Sequence, residues 1–447
     1  MVLPPAEVEL PRFACRMVPL RALRFDGAHS ADLGHLVTSV EGHHPTGGEP
    51  HPLHTRQLFP LPEEHRRAGQ LPQHAGRRLA SLFRHWQNEG HLRLDEYPSL
   101  YLHQLNFTDA AGIASERWGF YAVLALSPEG ELRILPHERT LPTRVRRQIE
   151  IYAWRGAQIL PLFMLYSDPE DRILTHLRGM VEGPPIIHFG DTIGHTNSLW
   201  AISNPEAQDH VRQLLGSSSL VIADGHHRFE AARQVYAQAD RQRSGSSPAL
   251  PVGEEDGTAY ILSFLTPMEG SGLRLGAFHR AIPRLRGDLS QQMALLEGHF
   301  RIETLHPPRG ETPGEWISYQ LGRTPPSEHT FVLVGDRGLS TFLVSRPSDG
   351  DTRSVLEKLD LTVLHEEVIT KLKYSGTLRY EQNVNTLWRQ IQFGEVGLGC
   401  FLRPPSAHEV WDVAQAGVPM PPKATFFYPK ILAGLIQFPH GFSRMEP

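Results

Sequence analysis

A short apolar run, followed at once by a polar turn and an amphipathic helix, is the feature that most constrains this chain. Residues Leu220 to Ala223 are apolar and partly β-branched, which is typical of a buried strand. Asp224 and Gly225 interrupt the run, and apolar residues then recur at the three- and four-residue spacing of a helix. The pattern predicts a strand, a tight turn and a helix, with the sequence Asp-Gly-His-His-Arg at the junction.

The residues at this junction have the chemistry of an anion-binding site. The first N–H groups of a helix carry partial positive charge, and Arg228 adds a full charge on a planar fork of donors. We therefore predict that Gly225, the helix amides and Arg228 hold an anion, with phosphate as the best match. A plainer interpretation stays open: Asp224 caps the helix, Gly225 makes a turn, and His226, His227 and Arg228 are solvated.

Two further stretches carry candidate functional residues. After a predicted strand that ends at Leu135, His137 and Glu138 lie in a loop between two prolines, where they would serve as general base or metal ligand, or be solvated. Lys423 and Lys430 lie in a proline-stiffened aromatic segment. This segment carries too many large apolar side chains to be a frayed tail, so we expect it to pack against the rest of the protein. Its lysines would then either bind phosphate or lie over apolar surface.

Length and composition exclude several classes of protein. The chain has 447 residues, enough for two or three domains, and its 40% hydrophobic and 21% charged residues are ordinary for a soluble globular protein. A net charge of −5 provides no basic surface for nucleic acid. No apolar run reaches the roughly 18 residues of a membrane helix, and the N-terminus does not resemble a signal peptide. The two cysteines form no CxxC pair. We expect a cytoplasmic protein without nucleic-acid or membrane partners; its oligomeric state is left open.

Predicted strands and helices alternate along most of the chain, which favours a mixed α/β class. The predicted strands include Met17 to Phe25, Ile159 to Tyr166 and Leu398 to Leu402, and the predicted helices include Pro205 to Leu215 and residues 354–372. We expect three regions: a mixed N-terminal region over 1–115, a core over 116–286 that holds the Asp-Gly-His-His-Arg turn, and an α/β region over 287–447 whose last segment packs back on the core. Residues 41–52 and 241–257 are predicted loops, because they are rich in glycine, proline and polar residues.

Four stretches together resemble the prokaryotic domain of unknown function 1015 family, in order from about Pro19 to Leu435. They are Leu135-Pro136-His137-Glu138 with Thr140, Ile222 to Glu230, Phe278-His279-Arg280, and Met420-Pro421-Pro422-Lys423 through Tyr428-Pro429-Lys430. The resemblance adds candidate supporting residues to the site: Thr140, Glu230, His279, Arg280 and Tyr428.

The Asp-Gly-His-His-Arg element is also similar to the phosphate-binding turn of the ParB and sulfiredoxin-like superfamily, which includes partition proteins that hydrolyse nucleotides, sulfiredoxins and free serine kinases. This resemblance implies a ParB/sulfiredoxin-like core and phosphoryl chemistry. The chain departs from the family where residues 37–45 replace a Pro-Pro-Tyr-Asp segment and where residues 142–144 replace a basic cluster. If the replaced tyrosine and aspartate take part in the chemistry, the substrate is changed or the activity reduced.

The favoured hypothesis is an enzyme that transfers phosphoryl groups or hydrolyses phosphate esters on a small metabolite. Serine or phosphoserine is the preferred substrate by analogy with the serine kinases. Arg228, Lys423 and Lys430 would hold the phosphate. His226 or His227 would act as general acid–base or accept the phosphoryl group.

Asp224 or Glu138 would be the base or a Mg²⁺ ligand. Two alternatives remain. One is a switch protein that binds ATP, ADP or another nucleotide, related to the partition proteins. The other is a metallohydrolase with His137, Glu138, Asp224 and His226 around zinc or manganese, although their spacing is not diagnostic.

Overall fold

The computed structural model describes most of the chain, and its described residues form two compact units. The described residues are 10, 12–27, 32–39, 53–58, 73–109, 112–127, 130–243, 259–284, 287, 289–307, 312–338, 340–347, 354–374 and 376–439. Those within Pro11–Leu273 and Pro429–Pro447 form the large unit, and those within Met1–Leu10 and Arg274–Tyr428 form the small unit. Within these ranges no helix is both long and apolar enough to cross a membrane.

Both units combine helices with strands, which confirms the mixed α/β class. The helices of the large unit are Leu33–Leu36, Gln73–Asn88, Pro142–Arg155, Arg172–Gly179, Pro205–Leu215 and His226–Arg243. Those of the small unit are Leu289–Met293, Pro313–Gly322, Asp360–Val363, Val384–Gln392 and Ala407–Ala416, with a π-helical turn at Leu364–Ile369. Short 3₁₀ turns are Thr55–Leu58 and Asp336–Gly338.

The large unit is built on a nine-stranded sheet. In spatial order its strands are Phe13–Val18, Leu132–Leu135, Ser219–Asp224, Leu162–Tyr166, Tyr260–Pro267, Ala114–Leu126, Leu100–Thr108, Thr196–Ile202 and Ile187–Gly190. The first strand also pairs with the sixth, Ala114–Leu126, and this pairing closes the first six strands into a barrel. Three short pairs accompany it: Leu23–Phe25 with Leu92–Leu94, Thr38–Ser39 with Leu432–Ala433, and Ala157–Gln158 with Phe438–Pro439. Two of these pairs attach the stretch after Pro429 to the large unit.

The small unit has its own sheet of six strands. In order they are Arg301–Thr304, Ser340–Pro347, Glu328–Gly335, Leu398–Leu402, His279–Ile282 and Arg379–Glu381. A separate pair joins Arg274–Gly276 to Phe426–Tyr428. The core of the small unit is apolar and includes Trp316, Ile317, Val332, Trp388 and Phe401.

The two faces of the large sheet differ in chemistry. One face is the apolar core, where strand residues such as Met164 and Ile222 pack against the helices Pro142–Arg155, Arg172–Gly179, Pro205–Leu215 and His226–Arg243. Successive residues of a strand point to opposite faces, so the neighbours of these core residues lie on the second face. The second face carries aromatic and buried polar side chains: His103, Arg117, Tyr121, Phe163, Asn197 and Phe264. The candidate site lies on this second face.

Gly119 is required at the centre of the second face, and Gly119→Ala should destabilise the large unit. A Cβ there would lie 2.3 Å from Cζ of Phe264 and 2.6 Å from the carbonyl oxygen of Leu265, and that backbone atom cannot rotate away. Overpacking of this kind costs about 1–3 kcal/mol, which urea denaturation would measure. Gly179→Ala is the matched control, since no atom lies within 4 Å of its added Cβ; equal stability of the two variants would contradict this packing.

Candidate functional site

A bulge at the end of the strand Ser219–Asp224 turns Asp224 out of the apolar core. Ile222 pairs with Met164 but Asp224 pairs with Phe163, so this strand carries one extra residue between the two pairs. Regular alternation would put Asp224 on the Ile222 face, within the core. The bulge places Asp224 on the Phe163 face instead.

Gly225 joins the strand to the helix in a conformation that favours glycine, with φ of +107°. A Cβ at this position would lie 2.7 Å from Nη2 of Arg228 and 2.7 Å from Cδ2 of Leu162. Glycine is therefore needed here for two reasons: the turn has a positive φ, and the Arg228 guanidinium packs closely against the backbone. The helix His226–Arg243 follows directly, which confirms the predicted strand, turn and helix.

Three charged side chains meet at this junction. Nη2 of Arg228 donates to Oδ2 of Asp224 at 2.7 Å, and Nζ of Lys430 donates to Oδ1 of the same carboxylate at 3.3 Å. Arg228 is only 7% exposed, and its Nη1 is buried with no hydrogen-bond partner among the described residues. Removing a guanidinium nitrogen from water without a partner is costly, so this nitrogen calls for an acceptor.

A small cavity lies beside these charges. Its volume is about 50 Å³, and its walls are Leu160, Pro161, Phe163, Asp224, Arg228, Lys430 and Ile431. Pockets for drug-sized ligands typically measure about 300–1,000 Å³. The cavity therefore has the scale of a single small group, such as one anion or a few waters, rather than of a whole nucleotide.

The cavity is electropositive. Burial opposes ionisation of Asp224, but the charges of Arg228 and Lys430 outweigh it and lower the pKa of the Asp224 carboxyl. With Asp224 ionised, two cations and one carboxylate leave one net positive charge at the cavity wall. A monoanion or dianion would be attracted to it.

The two adjacent histidines hold the loop that contains His137. The backbone N–H of His137 donates to Nε2 of His226 at 3.3 Å, and the N–H of Leu141 donates to Nε2 of His227 at 3.0 Å. The rings of His137 and His226 meet edge to face, with centroids 4.5 Å apart. The two histidines thus fix both ends of this loop.

His226 is held in its neutral form. Since Nε2 accepts a hydrogen bond, the ring proton lies on Nδ1, which is 3.6 Å from Oε2 of Glu138. Burial lowers the pKa of His226 to about 3, and burial together with the neighbouring His226 lowers the pKa of His137 to about 3. At neutral pH neither ring carries a proton that it readily gives up. The solvated alternative does not hold for His226 or Arg228, because their exposures are 4% and 7%.

A metal site does not fit these residues. Among the described residues no group of three or more His, Cys, Asp and Glu side chains is arranged to hold a metal ion. Asp224 is engaged by Arg228 and Lys430, and Glu138 faces His226. We derive no step through Mg²⁺ or zinc.

The remaining predicted residues lie elsewhere. Glu230 accepts from Nε and Nη2 of Arg233, both at 2.8 Å, along its own helix, and Thr140 is half-buried in the loop. Four others belong to the small unit: His279, Arg280, Lys423 and Tyr428.

The contacts described for these four are made within the small unit. Nε of Arg280 donates to Nε2 of His365 at 2.9 Å, and its Nη2 donates to the carbonyl of Lys423 at 3.2 Å. Nζ of Lys423 lies 4.9 Å from the centre of the Phe278 ring. Their part in the site stays a prediction.

Sequence reasoning missed the apolar walls of the cavity. Leu160, Pro161 and Phe163 fall in a run that was predicted only as a buried strand, and Ile431 follows the lysine of the aromatic segment. An apolar run predicts burial, but it does not show which side chains border a cavity. The proline at 161 was the available signal that this run is not one continuous strand, because proline lacks the N–H that a strand residue donates.

Comparisons with known proteins place the chain in a family. No curated protein matched it. Among solved structures, a free serine kinase in complex with AMP is similar at 16% identity and a TM-score of 0.31, covering 68% of this chain and 88% of that one. SbnI with a C-terminal truncation from Staphylococcus aureus is similar at 12% identity and a TM-score of 0.32, covering 70% and 87%. A conserved hypothetical protein from Pyrococcus furiosus is similar at 14% identity and a TM-score of 0.29, covering 68% and 92%.

Likenesses with TM-scores this low support no conclusion about fold or activity. The family model called protein of unknown function DUF1015 matches residues 54–362, which is more than half of the chain and includes the Asp224–Arg228 junction. The chain therefore belongs to the DUF1015 family, as the sequence predicted. Three of the four stretches lie within the matched residues, and the stretch Met420 to Lys430 lies outside them.

Proposed function

We propose that the cavity binds the phosphate group of a small metabolite or nucleotide, and that the protein transfers or hydrolyses that group. The observation that carries the proposal is the buried guanidinium of Arg228, whose Nη1 lacks a partner among the described residues while the side chain borders the cavity. A phosphate oxygen supplies the missing acceptor. A guanidinium fork beside a helix N-terminus is a favoured arrangement for phosphate.

The surrounding side chains suit phosphoryl chemistry. Arg228 and Lys430 place two positive charges where charge is spread over the phosphate oxygens in the transition state. Asp224 is the candidate base, because it lies between these cations at the cavity wall. A bound phosphate would add negative charge beside Asp224 and raise its pKa, which makes it a better proton acceptor when substrate is present.

We assign His226 and His227 a positioning role rather than an acid–base role. Both Nε2 atoms accept backbone hydrogen bonds, so neither is available to a substrate as the loop stands. Serine or phosphoserine as substrate, a nucleotide as phosphoryl donor, and a ParB/sulfiredoxin-like origin of the junction are finer proposals. They rest on the resemblance of the Asp-Gly-His-His-Arg turn.

Thermal unfolding of the full chain with inorganic phosphate, phosphoserine, ATP or ADP tests the proposal. We expect phosphate compounds to raise the melting temperature with concentration, since a ligand at 100 times its Kd stabilises by about 2.7 kcal/mol. Chloride at matched ionic strength is the control. No shift with any phosphate compound would overturn the proposal.

Product analysis then separates the enzyme from its alternative. Phosphate release from phosphoserine without nucleotide identifies a phosphatase, and phosphoserine formed from serine only with a nucleotide identifies a kinase. Nucleotide binding without turnover identifies a switch protein.

A further inference from the structure

Lys430 reaches the cavity on a chain segment that is attached to the large unit mainly beyond Ile431. Leu432 and Ala433 pair with Thr38–Ser39, Oγ1 of Thr55 donates to the carbonyl of Ala433 at 3.1 Å, and the N–H of Gly434 donates to the carbonyl of Ile159 at 2.7 Å. These contacts hold the segment, but each of them lies at least two residues after Lys430. A lysine side chain has four rotatable bonds, so a contact close to it in the chain would restrict the position of its ammonium further.

Arg117 supplies a contact directly before the lysine. Its Nη1 donates to the carbonyl of Pro429. The side chain is 2% exposed, and its guanidinium lies 5.2 Å from the centre of the Phe163 ring and 5.5 Å from that of Phe264. Phe163 is itself a wall of the cavity. A planar guanidinium can stack on both rings and still donate in its own plane.

We propose that Arg117 is a positioning residue that fixes the Pro429 carbonyl and thereby directs the ammonium of Lys430 to Asp224 and to a bound phosphate. The proposal rests on the proposed function of the cavity. The Phe163 and Phe264 rings fix the guanidinium, the guanidinium fixes the peptide before Lys430, and Lys430 meets Asp224 at 3.3 Å.

A double-mutant cycle tests whether Arg117 acts through Lys430. We expect Arg117→Met and Lys430→Met each to weaken binding of inorganic phosphate about tenfold, the scale of one charge-assisted hydrogen bond. The double variant should bind no more weakly than Lys430→Met alone, because the anchored lysine is already gone. An additive loss of about a hundredfold would mean that Arg117 touches the anion itself, and would overturn the positioning role.

Thr55→Val is the matched control. It removes another tether of the same segment, the hydrogen bond from Thr55 to Ala433, while leaving Arg117 intact. We expect its phosphate affinity to stay within about twofold of the wild type. If Thr55→Val and Arg117→Met weaken phosphate binding equally, general loosening of the segment explains the effect and the proposal fails.

A second measurement does not depend on phosphate. The Lys430 side chain is only 13% exposed, so its acetylation by a small acylating reagent, followed by mass spectrometry, should be slow. We expect Arg117→Met to speed acetylation of Lys430 several-fold and Thr55→Val to leave it unchanged. Unchanged labelling in Arg117→Met overturns the positioning role. Faster labelling in a protein that binds no phosphate would instead support the anchor and refute the proposed function.

Discussion

Phosphate is expected to give no thermal stabilisation of an Arg228→Met variant. The guanidinium contributes Nη1, which is buried without an acceptor in the described part of the chain, and Nη2, which pairs with Asp224. Methionine fills similar space but donates no hydrogen bond. Loss of the Nη1 donor together with the full positive charge of the guanidinium should weaken phosphate binding at least a hundredfold, or about 2.7 kcal/mol, measured by isothermal titration calorimetry.

Arg233→Met is the control for this prediction. Arg233 lies on the same helix, is 33% exposed, and pairs with Glu230 rather than with the cavity residues, so phosphate affinity should not change. Arg228→Lys is the second variant, because it keeps the charge while losing the fork, and intermediate binding is expected. Near-wild-type affinity in a folded Arg228→Met protein would refute the assignment.

The folded protein should lose stability steeply as the pH falls below about 6.5. Burial lowers the pKa of His103 to about 3, as it does for His137 and His226. Below the ordinary histidine pKa the unfolded chain takes up protons that the folded large unit does not, so the free energy of unfolding is at its full value above pH 6.5 and falls toward pH 3. At pH 5.5, about one unit below the ordinary histidine pKa, the three histidines together lower the free energy of unfolding by about 4 kcal/mol.

A loss of this size is a large part of the roughly 5–15 kcal/mol that stabilises a typical domain. Urea denaturation at a series of pH values measures it. Replacing His103 by Gln should remove about a third of the pH-dependent loss that His103, His137 and His226 cause together. A flat profile between pH 7 and 5 would contradict the buried neutral state of these rings.

Much of the local structure could be predicted because its signals are local. The helix Pro205–Leu215 has the predicted bounds, since Asn204 caps it and proline occupies its first position. The strand Leu398–Leu402 is also as predicted. The strand predicted over Met17 to Phe25 is two strands in the structure, Phe13–Val18 and Leu23–Phe25. A proline lies between them and lacks the backbone N–H that would continue one strand. Of the helix predicted over 354–372, only Asp360–Val363 and a π-helical turn are helical. The residues before Asp360 are irregular.

The site could be predicted in part. The junction sequence identified Arg228 and the turn glycine, because their chemistry is explicit in the residue types. Adjacent helical residues diverge by about 100°, and the two histidines do bind different amides, those of His137 and Leu141. The bulge that moves Asp224 to the cavity depends on pairing with Phe163, and the contact with Lys430 spans 206 residues. No pattern in the neighbouring sequence indicates either the bulge or the contact with Lys430. The predicted loop at 41–52 lies outside the described residues. The loop predicted at 241–257 is wrong at its start, because residues 241–243 end the helix His226–Arg243, and its remaining residues lie outside the described residues.

The order in which the ribosome makes this chain bears on when the site exists. The strand with Asp224 and the helix with Arg228 are synthesised first, then the whole stretch Arg274–Tyr428 of the small unit, and only afterwards Lys430. A nascent chain halted within that stretch therefore holds the aspartate–arginine pair without its lysine. If the cavity binds phosphate as proposed, its full set of charged side chains exists only after the entire small unit has been synthesised, so binding would begin only when the fold is complete.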